Sequence, residues 1–90
     1  MTAPTPRLPT AALALALADL SIGAAARVVG IALEPREADW LRAVGLFEGT
    51  HVTLLRRAPL GGPLHLRTLS GAEFAVDRLL ARAVSVEPAA

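Results

Sequence analysis

From Ala24 onward the chain alternates apolar and polar positions in short runs, each closed by glycine or proline. Residues 24–31 predict a strand, with Ala26 and Val28 on one face and Arg27 and Val29 on the other. Gly30 inside that strand predicts a bulge or a sharp bend. Residues 35–44 predict one short helix. Pro35 suits its first position, Glu37 and Asp39 sit near the positive end of its dipole, and Trp40, Leu41 and Val44 form its apolar face. Gly45 then stops the helix in the left-handed C′ position. That sets Leu46 against Leu41, the pair that makes the hydrophobic contact of a Schellman motif. A turn at 47–50 follows, with Gly49 where a positive φ is wanted.

Residues 51–57 predict a second strand, with Val52 and Leu54 opposite His51, Thr53 and Leu55. The loop 58–63 carries two prolines and two glycines. Residues 64–69 return, with Leu64, Leu66 and Thr68 opposite His65 and Arg67; Ser70-Gly71 is a tight hairpin turn. Residues 72–76 form a further strand with Phe74 and Val76 inward. Asp77 caps one helical turn at 78–82, and residues 84–87 close as the last strand. Five short strands are too few for two full sheets but enough for a small, strongly bent barrel without exposed edges. The expected fold is therefore mainly β: a five-stranded SH3-like barrel, with one short α-helix between the first two strands and a single helical turn before the last.

The N-terminal third reads differently. Residues 1–9 form a proline- and threonine-rich lead-in, and residues 10–19 an Ala/Leu run. That run is too short to span a bilayer as a helix. A single Arg7 precedes it, and it continues without a break into Asp19-Leu20-Ser21-Ile22-Gly23, which argues against an export signal. The expectation is a short helix or strand packed on the domain, with Thr10 as N-cap and the protein in the cytoplasm. The expected division is a lead-in over 1–16 and a domain over 17–88.

Composition narrows the function. At 90 residues the chain holds one small domain with a thin core. There is no cysteine, so disulfides, thiolate metal sites and cysteine nucleophiles are excluded. Nine arginines face eight carboxylates, mostly interspersed, which argues against nucleic-acid binding by counterion release. Aromatic residues make up 3%, too few for base-stacking platforms. No phosphate loop and no nucleophile elbow are present, so no catalytic constellation is expected. His51 and His65 are the only histidines. With Glu48 or Glu73 they are the only candidate metal ligands, and two imidazoles without fixed partners do not make a metal site. The distinctive exposed segment is the loop after the second strand. Pro59 and Pro63 preorganise it, Gly61 bends it, Leu60 offers an apolar anchor, and Arg56 and Arg57 lead into it with forks that fit carboxylates.

The stretch from Leu41 to Pro63, with its helix stop, its Gly49-Thr50 turn, paired Arg56-Arg57 and Ala58-Pro59-Leu60-Gly61-Gly62-Pro63 loop, resembles the FeoA family, the small cytoplasmic component of bacterial ferrous iron transport. Leu17-Ala18-Asp19-Leu20-Ser21-Ile22-Gly23 resembles that family's opening, and Glu73-Phe74-Ala75-Val76 and Val84-Ser85-Val86-Glu87 resemble its closing strands. Glu48 stands where many members have proline, and Gly62 where aspartate is common. The resemblance implies a non-enzymatic accessory protein without a cofactor, docking on and regulating the FeoB-like membrane GTPase-permease. Arg56, Arg57, Pro59, Leu60, Gly61 and Pro63 would form the docking surface, and Leu41, Gly45, Leu46 and Gly49 the structural motif. Metal binding is implied only at the level of the family. The alternatives are a scaffold that associates weakly with itself through the Ala/Leu stretch, and a metal-linked transcriptional regulator domain.

Overall fold

The computed structural model describes residues 14–89. The lead-in over 1–9, Arg7 and the Thr10 cap lie outside the described residues. Nine elements follow one another. Strand β1 (Leu15–Ala16) runs into a 3-10 turn (Leu17–Asp19), then come β2 (Ala25–Ile31), helix α1 (Pro35–Ala43), β3 (His51–Arg57) and β4 (Leu64–Thr68). Strand β5 (Glu73–Val76), helix α2 (Arg78–Arg82) and β6 (Val84–Pro88) complete the chain. All pairings are antiparallel, and the six strands form one sheet in the order β1-β6-β2-β3-β4-β5.

The expected SH3-like arrangement is recovered, with two differences. A sixth strand is present, because Leu15 and Ala16 pair with Val86 and Ser85 of β6. The ladder also does not close: β1 and β5 are its two edges, so edges are shortened and not removed. Part of the Ala/Leu run is thus a two-residue strand and a 3-10 turn. Leu17 and Leu20 enter the core through it.

Local chemistry explains the element ends. Gly45 has φ +101°, and the Leu46 amide donates to the Leu41 carbonyl at 2.8 Å while the Gly45 amide donates to Arg42 at 3.0 Å. These are the two bonds of a Schellman stop, and Leu41 and Leu46 are both fully buried. Asp77 caps α2 by accepting from the Leu79 amide at 2.7 Å.

Two bulges bend the sheet. One falls between Val28 and Gly30 against β6; it switches the inward parity so that Ile31 still packs on the core. The other falls between Leu54 and Arg56 against β4. The core is one cluster, drawing Ala26 and Val28 from β2, Val52 and Leu54 from β3, Leu64 and Leu66 from β4, and Val84 and Val86 from β6. Leu41 and Leu46 close it on one side. Trp40 does not join them. It is 50% exposed, because one short helix on a thin sheet buries a narrow stripe and Leu41 fills it. Among the described residues no helix is long and apolar enough to cross a membrane.

Candidate functional site

The β3–β4 hairpin carries the candidate docking residues. Its loop is closed at the base by the Ala58 amide, which donates to the Pro63 carbonyl at 2.9 Å. At the tip the Gly62 amide donates to the Pro59 carbonyl at 3.2 Å. The two residues between them have φ of +60° (Leu60) and +74° (Gly61). Positive φ at both central positions is the pattern of a type I′ turn, which favours Asn, Asp or Gly. Leu60 is the only non-glycine residue with positive φ among the described residues. Its relative exposure is 104%, so the side chain stands clear of the protein. A Cβ on Gly62 would lie 2.7 Å from the Ala58 Cβ and 3.1 Å from the Pro59 carbonyl oxygen. The path of the loop therefore demands glycine at this position.

The two arginines at the root of the hairpin part company. Arg56 is exposed. Arg57 is not a solvent-facing residue, which corrects the expectation for its side chain. Its Nη2 donates to the Ala18 carbonyl at 2.8 Å and also to the Leu20 carbonyl. The bulge at Leu54/Arg56 causes this. Alternation from Val52 and Leu54 would turn Arg56 inward, and one extra residue reverses the two. Arg57 thus satisfies carbonyls at the end of the 3-10 turn. Pro59, Leu60, Gly61 and Pro63 remain exposed beside Arg56.

The histidines sit at opposite ends of the β3–β4 ladder. His51 precedes the Val52–Thr68 pair, and His65 pairs with Arg56. Four steps of strand rise separate those ends, about 13 Å, too far for one metal ion. His65 Nε2 lies 3.4 Å from Glu73 Oε1, and Arg67 Nη2 lies 3.6 Å from Glu73 Oε2. Among the described residues no group of three or more His, Asp or Glu is placed to hold a metal ion. Leu55, Arg56, His65, Arg67 and Glu73 line a shallow cleft of about 370 Å³ on the outer face of β3, β4 and β5. Spacing alone does not give this cleft, since it depends on the bulge that re-aims Arg56. A second groove of about 360 Å³ lies between the end of α1 and the β4–β5 turn, rimmed by Val44, Phe47, His51 and Leu69.

A small bent antiparallel sheet, one helix after its first long strand and a helical turn before its last strand define an SH3-like fold. The FeoA domain model matches residues 15–88, and the chain belongs to the FeoA family. That family acts in ferrous iron transport. The FeoA protein of Chlorobium tepidum is 32% identical over 84% of this chain and 71% of its own, with a TM-score of 0.78. A zinc complex of Stenotrophomonas maltophilia FeoA, described as an SH3 domain protein, is 26% identical over 81% of this chain and 89% of its own, at a TM-score of 0.65. A manganese-dependent transcriptional repressor bound to manganese shares the fold at 22% identity and a TM-score of 0.79; the match covers 96% of this chain and 39% of the repressor. A comparison with curated proteins gives no match.

Proposed function

We propose that this domain is a non-catalytic cytoplasmic regulator that docks on the FeoB-like permease through the tip of its β3–β4 hairpin. The observation that carries this reading is Leu60. A leucine held in the left-handed region costs about 1 kcal/mol relative to glycine, and here no packing offsets that cost. A chain selected only for stability would place Asn or Gly there. Pro59 and Pro63 limit the loop's freedom before binding, so little entropy is lost when Leu60 is captured. Arg56 flanks the tip and can fork onto a carboxylate of the partner. Arg57 serves the hairpin from inside, by fixing its root.

Leu60→Gly tests this reading, because fold and docking then move in opposite directions. The variant should melt at the same temperature or higher, since glycine relieves the backbone. Pull-down by the permease's cytoplasmic region should weaken about tenfold, the size expected when an interface anchor is removed. Undiminished capture would rule the hairpin tip out.

A further inference from the structure

The cleft beside the hairpin root has features that the stability of the fold does not require. Its centre is Glu73, half exposed and shared between His65 and Arg67 at 3.4 and 3.6 Å. Those distances exceed the 2.7–2.9 Å of charge-assisted hydrogen bonds. The carboxylate is therefore spread between two donors and locked to neither. Arg56, the third donor-bearing side chain of the lining, forms no ion pair among the described residues. Two guanidinium forks and one imidazole thus surround one loosely held carboxylate. Leu55, the extra residue of the bulge, adds an apolar wall.

The neighbouring backbone gives the second observation. Strand β5 is an edge of the sheet, and its outer N–H and C=O groups face no further strand. An extended peptide laid along β5 would pair with it and send alternate side chains onto the face that holds the cleft. We propose that this cleft answers a carboxylate from an acidic, extended segment of a partner protein, which adds to β5 and takes Arg67 from Glu73, while the displaced Glu73 turns toward Arg56. The internal Glu73 holds the place of that ligand. The proposal rests on the docking reading and assigns it a second contact, with charge chemistry where the hairpin tip supplies apolar chemistry. The near-neutral balance of the chain and its scarcity of aromatics speak for an acidic protein segment over a nucleic acid.

The test is a two-dimensional amide and arginine side-chain NMR titration with a blocked Val-Glu-Val-Glu-Val peptide. A Val-Lys-Val-Lys-Val peptide, inorganic phosphate and a short DNA duplex serve as separate arms. The expected result is saturable shifts at Arg56, His65, Arg67 and the amides of 73–76 with the acidic peptide alone. Arg56→Ala and Arg67→Ala should each weaken binding by about threefold, the scale of one exposed charge pair. Glu73→Gln should tighten it, because the competing internal carboxylate loses its charge. Dispersion in the same spectra shows that each variant is folded. The proposal is overturned if the lysine peptide binds equally, if phosphate saturates the same signals as well as the peptide does, if the duplex binds saturably, or if Glu73→Gln weakens binding. The two readings separate cleanly. Loss of permease capture in Leu60→Gly with unchanged peptide affinity in both arginine variants sinks the cleft alone. Normal capture by Leu60→Gly with arginine-dependent peptide binding sinks the hairpin tip alone.

Discussion

Gly45 and Arg57 show how single side chains set the local path of this chain. At φ +101°, Gly45 sits where any Cβ meets its own backbone, while the space around it is open: a Cβ there would lie 3.9 Å from its nearest outside neighbour, Thr68 Cγ2. The cost of Gly45→Val is therefore conformational, not steric crowding by the core. It should exceed about 1 kcal/mol, because β-branching adds to the left-handed penalty. Thermal unfolding reads this directly, and an unchanged midpoint would remove the helix-stop argument. Arg57→Ala should also destabilise. It leaves the Ala18 and Leu20 carbonyls without their donor, a loss of about 1–3 kcal/mol for a charged hydrogen-bonding group. Arg56→Ala, one residue earlier, should leave the midpoint nearly unchanged because that side chain is exposed. Equal midpoints for the two alanine variants would refute the inward placement of Arg57.

At the scale of elements, most of the architecture is legible in the sequence because its punctuation is chemical. Gly45 and Leu46 announce the end of α1, Gly49 its turn, Asp77 the cap of α2, and Gly30 a bulge; the structure has each of them. Three features escape pattern reading. The bulge at Leu54/Arg56 carries no glycine, so parity counts run through it and misplace Arg57. Strand β1 spans two residues inside an Ala/Leu run, and two residues show no period of 2 to set against 3.6. Trp40 reads as core by type, but burial depends on how much sheet lies beneath the helix. Of the docking set, exposure at Leu60 follows from the loop chemistry, whereas its left-handed backbone does not, since nothing in the letters separates that turn from a type I or II turn. Strand β1 also carries a prediction. Chains beginning at Ala14 and at Leu17 differ by the pairing of Leu15 and Ala16 with β6. The shorter chain should melt lower and self-associate at high concentration, because the β6 edge is then open. Matching midpoints and matching light scattering would show that β1 is dispensable.

At the scale of the molecule, the apolar tip, the charged cleft and the structural arginine all lie on or beside one hairpin, and the remaining elements serve mainly to hold it. Behind it lies one continuous buried core that draws on residues from Leu17 to Val86. The proposed contacts thus lie together on one part of a small domain with a thin core. The pairing of Leu15 with Val86 has a different consequence. It brings the chain into the sheet and takes it out again on neighbouring strands, so the two ends of the domain leave side by side. A unit with adjacent ends can be appended to or spliced into another protein without disturbing its interior, and the same fold does occupy 39% of a longer repressor chain. Circular permutation makes this testable. A short linker from Ala89 back to Ala14, with new ends opened at Ser70–Gly71, should give a cooperatively folding protein that the permease region still captures. Opening the same circle between Leu60 and Gly61 should also fold but lose capture. Failure of both permutants to fold would show that the joined ends are not interchangeable with a loop, and that the domain is less modular than its strand order implies.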